Sequence, residues 1–138
     1  MFVAGFMGAP AMNFFKAKIR KDGNRLFLEG GAFNVPIVID KKAYHDYEDK
    51  SVVMGIRPED VHNPAFVAPG IHAAPIEAKV DVTELMGNEK NLNLLAGQDN
   101  IVARVDPRTD FRMGDKVQVA FDMDKIHLFE PDSDMAIR

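Results

Sequence analysis

Histidine is the side chain best suited to acid–base and metal chemistry near neutral pH, and the chain has four: His45, His62, His72 and His127. They are dispersed, and none shows the paired spacing of a zinc motif such as HExxH. We expect them to be ordinary loop or strand histidines. Asp122-Met123-Asp124, followed by Glu130, brings carboxylates close in sequence, but the spaced acidic loop with its glycine that wraps calcium is missing. A turn between strands is the simpler expectation. The only serines, Ser51 and Ser133, lie outside any glycine-flanked elbow, which leaves a Ser-His-Asp hydrolase without support. There is no cysteine, so thiolate nucleophiles, thiolate metal sites and disulfides are excluded. Neither GxxxxGK[ST] nor GxGxxG occurs, and the chain therefore lacks both common devices for cradling phosphates. No catalytic residue, cofactor or metal ligand is assigned.

One run differs from these. In Gly55-Ile56-Arg57-Pro58-Glu59-Asp60 an apolar stretch ends abruptly in charge and a proline. If the backbone stays extended through Pro58, Arg57 and Glu59 project to the same side, two residues apart, and can pair with each other or with a partner surface. Arg57, Glu59 and Asp60 are taken as candidate interaction residues.

These residues must be positioned by strands, because apolar residues recur mostly at every second position in short runs. Phe15-Lys16-Ala17-Lys18-Ile19 alternates, Leu26 and Leu28 alternate, and Lys21-Asp22-Gly23-Asn24 between them predicts a tight hairpin of type I′ about Asp22-Gly23. Phe33, Val35, Ile37 and Ile39 form a third alternating set after Gly30-Gly31. Residues 41–50, with Tyr44 and Tyr47 three apart, are the best candidate for a short helix, although their N-terminal lysines oppose the helix dipole. Ser51 to Ile56 reads as a strand buried on both faces and stopped at Pro58. Residues 62–74 read as loop. Further strands follow through Ile76, Ala78, Val80 and Val82; through Leu92 and Leu94 after a turn at Gly87-Asn88; through Ile101, Ala103 and Val105; through Val117, Val119 and Phe121; and through Ile126 and Leu128. The polar tail from Glu130 to Arg138 is expected to fray.

At 138 residues, with 46% hydrophobic and 28% charged residues, the chain fits one soluble domain with a real core. The formal net charge of −4 provides no footprint for nucleic acid. Ten phenylalanines could stack bases in a barrel, but Phe27, Phe33 and Phe121 occupy apolar-alternating positions without interleaved basic residues and are expected in the core. The opening MFVAGFMGAPAMNFF is too short for a membrane span and lacks the basic region that precedes the apolar stretch of a signal peptide. We read it as a short helix over 1–11, stopped by Gly8 and Pro10, ahead of a strand that enters near Met12. The fold class expected is mainly β: barrels of the oligonucleotide/oligosaccharide-binding type with one or two short helices, divided into 12–61 and 75–130 by the loop.

Residues 2–15 and Val53-Met54-Gly55-Ile56-Arg57-Pro58-Glu59-Asp60 together resemble the C-terminal regulatory region of ATPase subunits of sugar-importing ABC transporters, the maltose-type importer family. Val82-Thr83-Glu84-Leu85-Met86-Gly87-Asn88-Glu89-Lys90, Gly114-Asp115-Lys116-Val117 and residues 121–129 are similar to the same region. The resemblance implies a transport-associated (TOBE-type) barrel that follows a nucleotide-binding domain and touches its own copy across a two-fold axis. It also implies permease subunits as partners and a place on the cytoplasmic face of the membrane, without insertion. The family's phosphate loop, signature motif and Walker B acid have no counterpart here, so the chain is expected to be a fragment and not itself an enzyme. Within that resemblance Gly5, Gly8, Pro10, Asn13, Gly23, Gly55 and Pro58 are expected to be structural. A barrel sensing an oxyanion or a sugar is the alternative.

Overall fold

Alternation dictates the first strand. In β1 (Asn13–Asp22) residues 13, 15, 17 and 19 are buried while Lys16 and Lys18 stay in water, the period-two pattern of a sheet with one wet face. The computed structural model describes residues 12–133 and 135–137. The expected helix over 1–11, with Gly5, Gly8 and Pro10, lies outside them.

The remaining strands are β2 (Arg25–Gly30), β3 (Asn34–Pro36), β4 (Ser51–Ile56), β5 (Val61–His62), β6 (Ala73–Met86), β7 (Glu89–Ala96), β8 (Asp99–Val105), β9 (Lys116–Asp122) and β10 (His127–Phe129). They form two five-stranded antiparallel sheets, in the orders β10-β4-β1-β2-β3 and β5-β9-β6-β7-β8. The second sheet curls until β8 approaches β5. The expected mainly-β class holds. The sheets exchange members across the segment 62–74: β5, which ends as that segment begins, joins the second sheet, and β10, near the chain's end, returns to pair with β4 in the first.

Local chemistry explains the hairpins. Three of them close over two residues, Gly23-Asn24, Gly87-Asn88 and Gly97-Gln98, and in each only the glycine has positive φ (+63°, +63° and +61°). A glycine of positive φ followed by an ordinary residue is a type II′ turn, whose twist suits a hairpin. The type I′ turn expected at Asp22-Gly23 is thereby corrected by one residue, since Asp22 still pairs with Arg25 inside the ladder.

Other expectations shift for identifiable reasons. The helix expected over 41–50 shrinks to the single turn α1 (Lys42–His45), which has no side-chain N-cap and no acidic residue in its first turn. The supposed loop 62–74 begins with the last residue of β5, ends with the first two of β6, and contains a 3₁₀ turn at Pro64–Phe66 capped by the Asn63 side chain. The tail does not fray over 135–137: Ile137 is buried, its N–H donates to Leu128 O at 2.8 Å, and Glu130 N–H donates to Met135 O at 2.8 Å. Phe27 is not a core residue either. It lies half-buried on the wet face between Arg20 and Pro36, with the Arg25 guanidinium 5.9 Å from its ring centre.

The core fills the space between the sheets. Phe15 of β1 stacks on Phe121 of β9 at 5.8 Å between ring centres, and Phe33 meets both edge-on at 5.6 and 5.9 Å. Gly30 is required beneath this trio, because a Cβ there would sit 2.6 Å from the Phe33 ring. A smaller cluster of Met12, Val53 and Phe129, with Phe14 against it, occupies the opposite face of β4. Its floor is Gly55, where a Cβ would come 2.6 Å from Met12 Sδ and 3.0 Å from the Phe129 ring. β4 is therefore buried on both faces, as its unbroken apolar run predicts. Among the described residues no helix is long and apolar enough to cross a membrane.

Candidate functional site

β4 delivers the candidate residues, and proline redirects them. Arg57 is still extended (φ −77°, ψ 152°), but Pro58 opens a 3₁₀ turn over Pro58–Asp60 in which Asp60 N–H donates to Arg57 O at 2.9 Å. The chain therefore does not stay extended through Pro58, and the expected same-side projection of Arg57 and Glu59 is corrected. Pro58 is buried, Glu59 is exposed, and Arg57 and Asp60 are half-buried.

Arg57 turns to β10, where its guanidinium donates to His127 Nε2 at 3.3 Å. Burial and then the Arg57 charge hold the His127 imidazole below its ordinary value of 6.5, which keeps it neutral and able to accept that bond. A lowered pKa means that the unfolded chain binds more protons than the folded one between the two values. This contribution to stability is full above about pH 6.5 and is lost as pH falls towards the folded pKa. We expect urea midpoints to drop between about pH 7.5 and about pH 5.5, and His127→Gln, which keeps an acceptor, to flatten that drop. An unaltered pH dependence in the variant would exclude His127 as its source.

Asp60 points the other way, towards β9. β5 and β9 pair with Val61 opposite Phe121 and His62 opposite Ala120, which sets Asp60 across from Asp122. One donor atom each of Asp60, His62 and Asp122 lies within 4.8 Å of the other two. Asp122 is buried, and its Oδ1 accepts from Asp124 N–H at 3.1 Å. Burial, then Glu59 and Asp122, push the Asp60 carboxyl up. The turn after β4 thus presents two half-buried groups to two different strands, and leaves Glu59 in water.

Asn13 fastens the two sheets beside this turn, and a second pair of polar residues ties together connections of the second sheet. The Asn13 carboxamide donates to Val102 O at 2.9 Å and to Ile56 O at 3.2 Å, and accepts from Val102 N–H at 2.8 Å. Asn63 donates to Thr109 Oγ1 at 3.1 Å, both side chains being buried, and Arg108 covers the Phe66 ring at 4.4 Å from its centre. Arg108 also holds Asp106 in a close ion pair at 2.9 Å, which lowers that carboxyl to about 2. Sequence reasoning weighs Asp122 only with Asp124 and Glu130 and does not place His127, Asn63 or Thr109 in this region, because each of these three meets its partner across at least 46 residues. A 'His-x-Phe' or an 'Asp-x-Asp' carries no local sign of such a contact.

The longest exposed feature is the arm formed by the β6–β7 hairpin. A bulge between Val80 and Val82 releases β6 from β9, so that only β7 accompanies it to the Gly87-Asn88 turn. Val82, Leu85 and Met86 on this arm are exposed, Leu85 by 66%.

Comparison with known proteins agrees with this architecture. Residues 8–61 match the MalK OB fold domain and residues 54–129 match the TOBE domain. The chain is 39% identical to the oligosaccharides import ATP-binding protein MsmX of Bacillus subtilis, over all of its own length and 38% of the relative's. It is 38% identical to the multiple sugar-binding transport ATP-binding protein MsmK of Streptococcus mutans, over 99% of its own length and 36% of the relative's. The chain thus spans little more than a third of the curated relatives it matches. Its fold is similar to that of the cytoplasmic molybdate-binding protein ModG, solved with molybdate bound, with a TM-score of 0.68 at 13% identity over 90% of this chain and 99% of that one. By its match over 54–129, preceded by the stretch similar to the MalK OB fold, the chain belongs to the TOBE domain family.

Proposed function

We propose that the chain is the C-terminal regulatory part of the ATP-binding subunit of a carbohydrate ABC importer, acting at the cytoplasmic face of the membrane without nucleotide chemistry of its own. The observation that carries this is the alignment to MsmX, which runs the full length of this chain and stops at 38% of the relative. The absence of any phosphate-cradling sequence supports a non-catalytic part. Its partners are then a nucleotide-binding domain, the permease subunits and a second copy of itself. Glu59, exposed beside the buried Pro58, and the arm with Leu85 and Met86 supply contact surface that the fold itself does not use.

Replacing the corresponding stretch of MsmX with this chain tests the reading. ATP-dependent oligosaccharide uptake should persist in the chimaera, and uptake abolished in a chimaera that still folds and binds ATP would overturn it. For the second copy, sedimentation equilibrium of the isolated chain should show monomer at micromolar concentration and a weak dimer nearer millimolar, as befits a contact below about 1,200 Å² that normally works beside a second one. A strict monomer at the highest concentration counts against the pairing role. An oxyanion-sensing barrel is less well supported: of the cations on the wet face of the first sheet, Arg20 is already engaged by Glu29 and Asp49 at 3.4 and 3.0 Å.

A further inference from the structure

We propose that Asp60, His62 and Asp122 bind a divalent cation of the zinc class. The three donors come from two paired segments. Asp60 closes the 3₁₀ turn just before β5, and His62 follows two residues later, so both face the same side of the ladder, while Asp122 ends β9 directly across from Asp60. One donor atom of each lies within 4.8 Å of the others.

Two observations beyond this convergence point to a ligand. Asp122 is only 4% exposed, and its carboxylate makes one hydrogen bond among the described residues, the bond from Asp124 N–H to Oδ1; the other oxygen has no protein donor and stays accessible to water or an ion. Register carried one residue past β5 places Asp60 opposite Asp122, and Glu59 adds a third negative charge beside them, countered in part by Lys125. No hydrogen bond or ion pair engages the side chains of Asp60 or His62 among the described residues, so the imidazole and one carboxylate keep their lone pairs available. A divalent cation would offset the repulsion and satisfy all three groups together.

The donor set selects the ion. Two carboxylate oxygens and an imidazole nitrogen suit zinc and its first-row neighbours, whereas magnesium and calcium prefer oxygen alone. Bonds of about 2.0–2.2 Å require the donors to draw inward, which the half-buried Asp60 and His62 can do against a fixed Asp122. With three protein ligands the fourth position falls to water or to a group from a partner. The bound ion would pin the crossing between β4 and β5 to β9, and so join the end of the first sheet to the second.

Calorimetry and thermal melting of the chain with zinc chloride alone test this. We expect one site of micromolar affinity and a rise in melting midpoint of about 8 °C at a hundredfold excess over Kd. Asp60→Asn and His62→Gln, both half-buried and outside the core, should each weaken binding at least about tenfold; without metal His62→Gln should melt like the wild type and Asp60→Asn at or above it, because it removes one of the opposed charges. His72→Gln serves as a control, because His72 and Asp124 form an exposed pair at 3.0 Å that could capture zinc unspecifically. Cobalt should give the intense visible absorption of a four-coordinate site, lost in His62→Gln. Absence of zinc binding at about 100 μM, binding that survives both variants, or binding abolished by His72→Gln would each overturn the proposal.

Discussion

Phe121→Ala is expected to lower stability by about 3–5 kcal/mol, the range for removing a buried aromatic from a core that only partly relaxes. Phe121 is fully buried near the middle of the interface between the sheets, stacked on Phe15 at 5.8 Å and edge-on to Phe33 at 5.9 Å. The loss has two parts: the transfer of the ring from water, and the void left between two other rings whose own backbones are held by different elements. Phe15 belongs to β1 and cannot move without the first sheet, and Phe33 is held by the bond from Gly30 N–H to its carbonyl at 2.8 Å. Collapse into the void is therefore restricted. Urea denaturation should show the change as a lower midpoint with an unchanged slope, and Phe121→Leu should cost less, about 1–2 kcal/mol, because most of the volume is kept. A cost below about 1 kcal/mol for the alanine variant would mean that the two sheets do not depend on this trio.

That trio shows what was legible in the sequence. Phe33 and Phe121 stand at apolar-alternating positions, and alternation reports the buried face of a strand whatever its neighbours are. The strands, the glycine turns and the doubly buried β4 follow from such local signals. Phe27 stands between Leu26 and Leu28 and so belongs to the opposite frame, and the two-residue turn at Gly23-Asn24 sets the register of β2 that puts both leucines inward. Period alone cannot choose between the two faces of a short strand whose residues are apolar on both.

What the sequence could not show is contact at a distance. β10 is three residues long and its place beside β4 depends on Gly55, which admits the Phe129 ring; nothing near 127–129 announces this. The tail reads as polar, yet an isolated bridge between Phe129 and Ala136 folds its apolar Met135-Ala136-Ile137 stretch back and buries Ile137. The same limit applies to the turn at Pro58–Asp60. Its charges suggested a partner surface, but which strand each charge faces is decided by the 3₁₀ geometry that proline imposes and by the positions of His127 and Asp122, each more than 60 residues further on. Of the candidate residues, Glu59 alone is left exposed.

Asn13→Leu is the sharper test of how the sheets are joined, with an expected cost of about 2–4 kcal/mol. Leucine keeps the branching of asparagine at Cγ and favours burial but is bulkier, so the loss combines missing polar partners with some overpacking. Asn13 is 7% exposed and pairs in register with Ile56 at the end of β1. Its carboxamide reads both backbone groups of Val102, donating to the carbonyl at 2.9 Å and accepting from the N–H at 2.8 Å. That is the pattern of a neighbouring strand, supplied by one side chain to the edge strand β8 of the other sheet. In the leucine variant the Val102 N–H and C=O lose their partners, at about 1–3 kcal/mol for each group that water cannot reach. Val102 is half-buried, so water recovers part of this, which sets the lower end of the range. Asn13→Asp should be at least as harmful, because a carboxylate would face the carbonyls of Val102 and Ile56 with no proton to donate. Amide hydrogen exchange separates a local from a general effect. Val102 N–H should lose protection in Asn13→Leu by more than the fall in global stability explains, while the amides of β1 and β4 change only with that fall. A variant with the wild-type urea midpoint and a fully protected Val102 amide would show that β8 is held without Asn13, and that the apolar core is enough to join the two sheets.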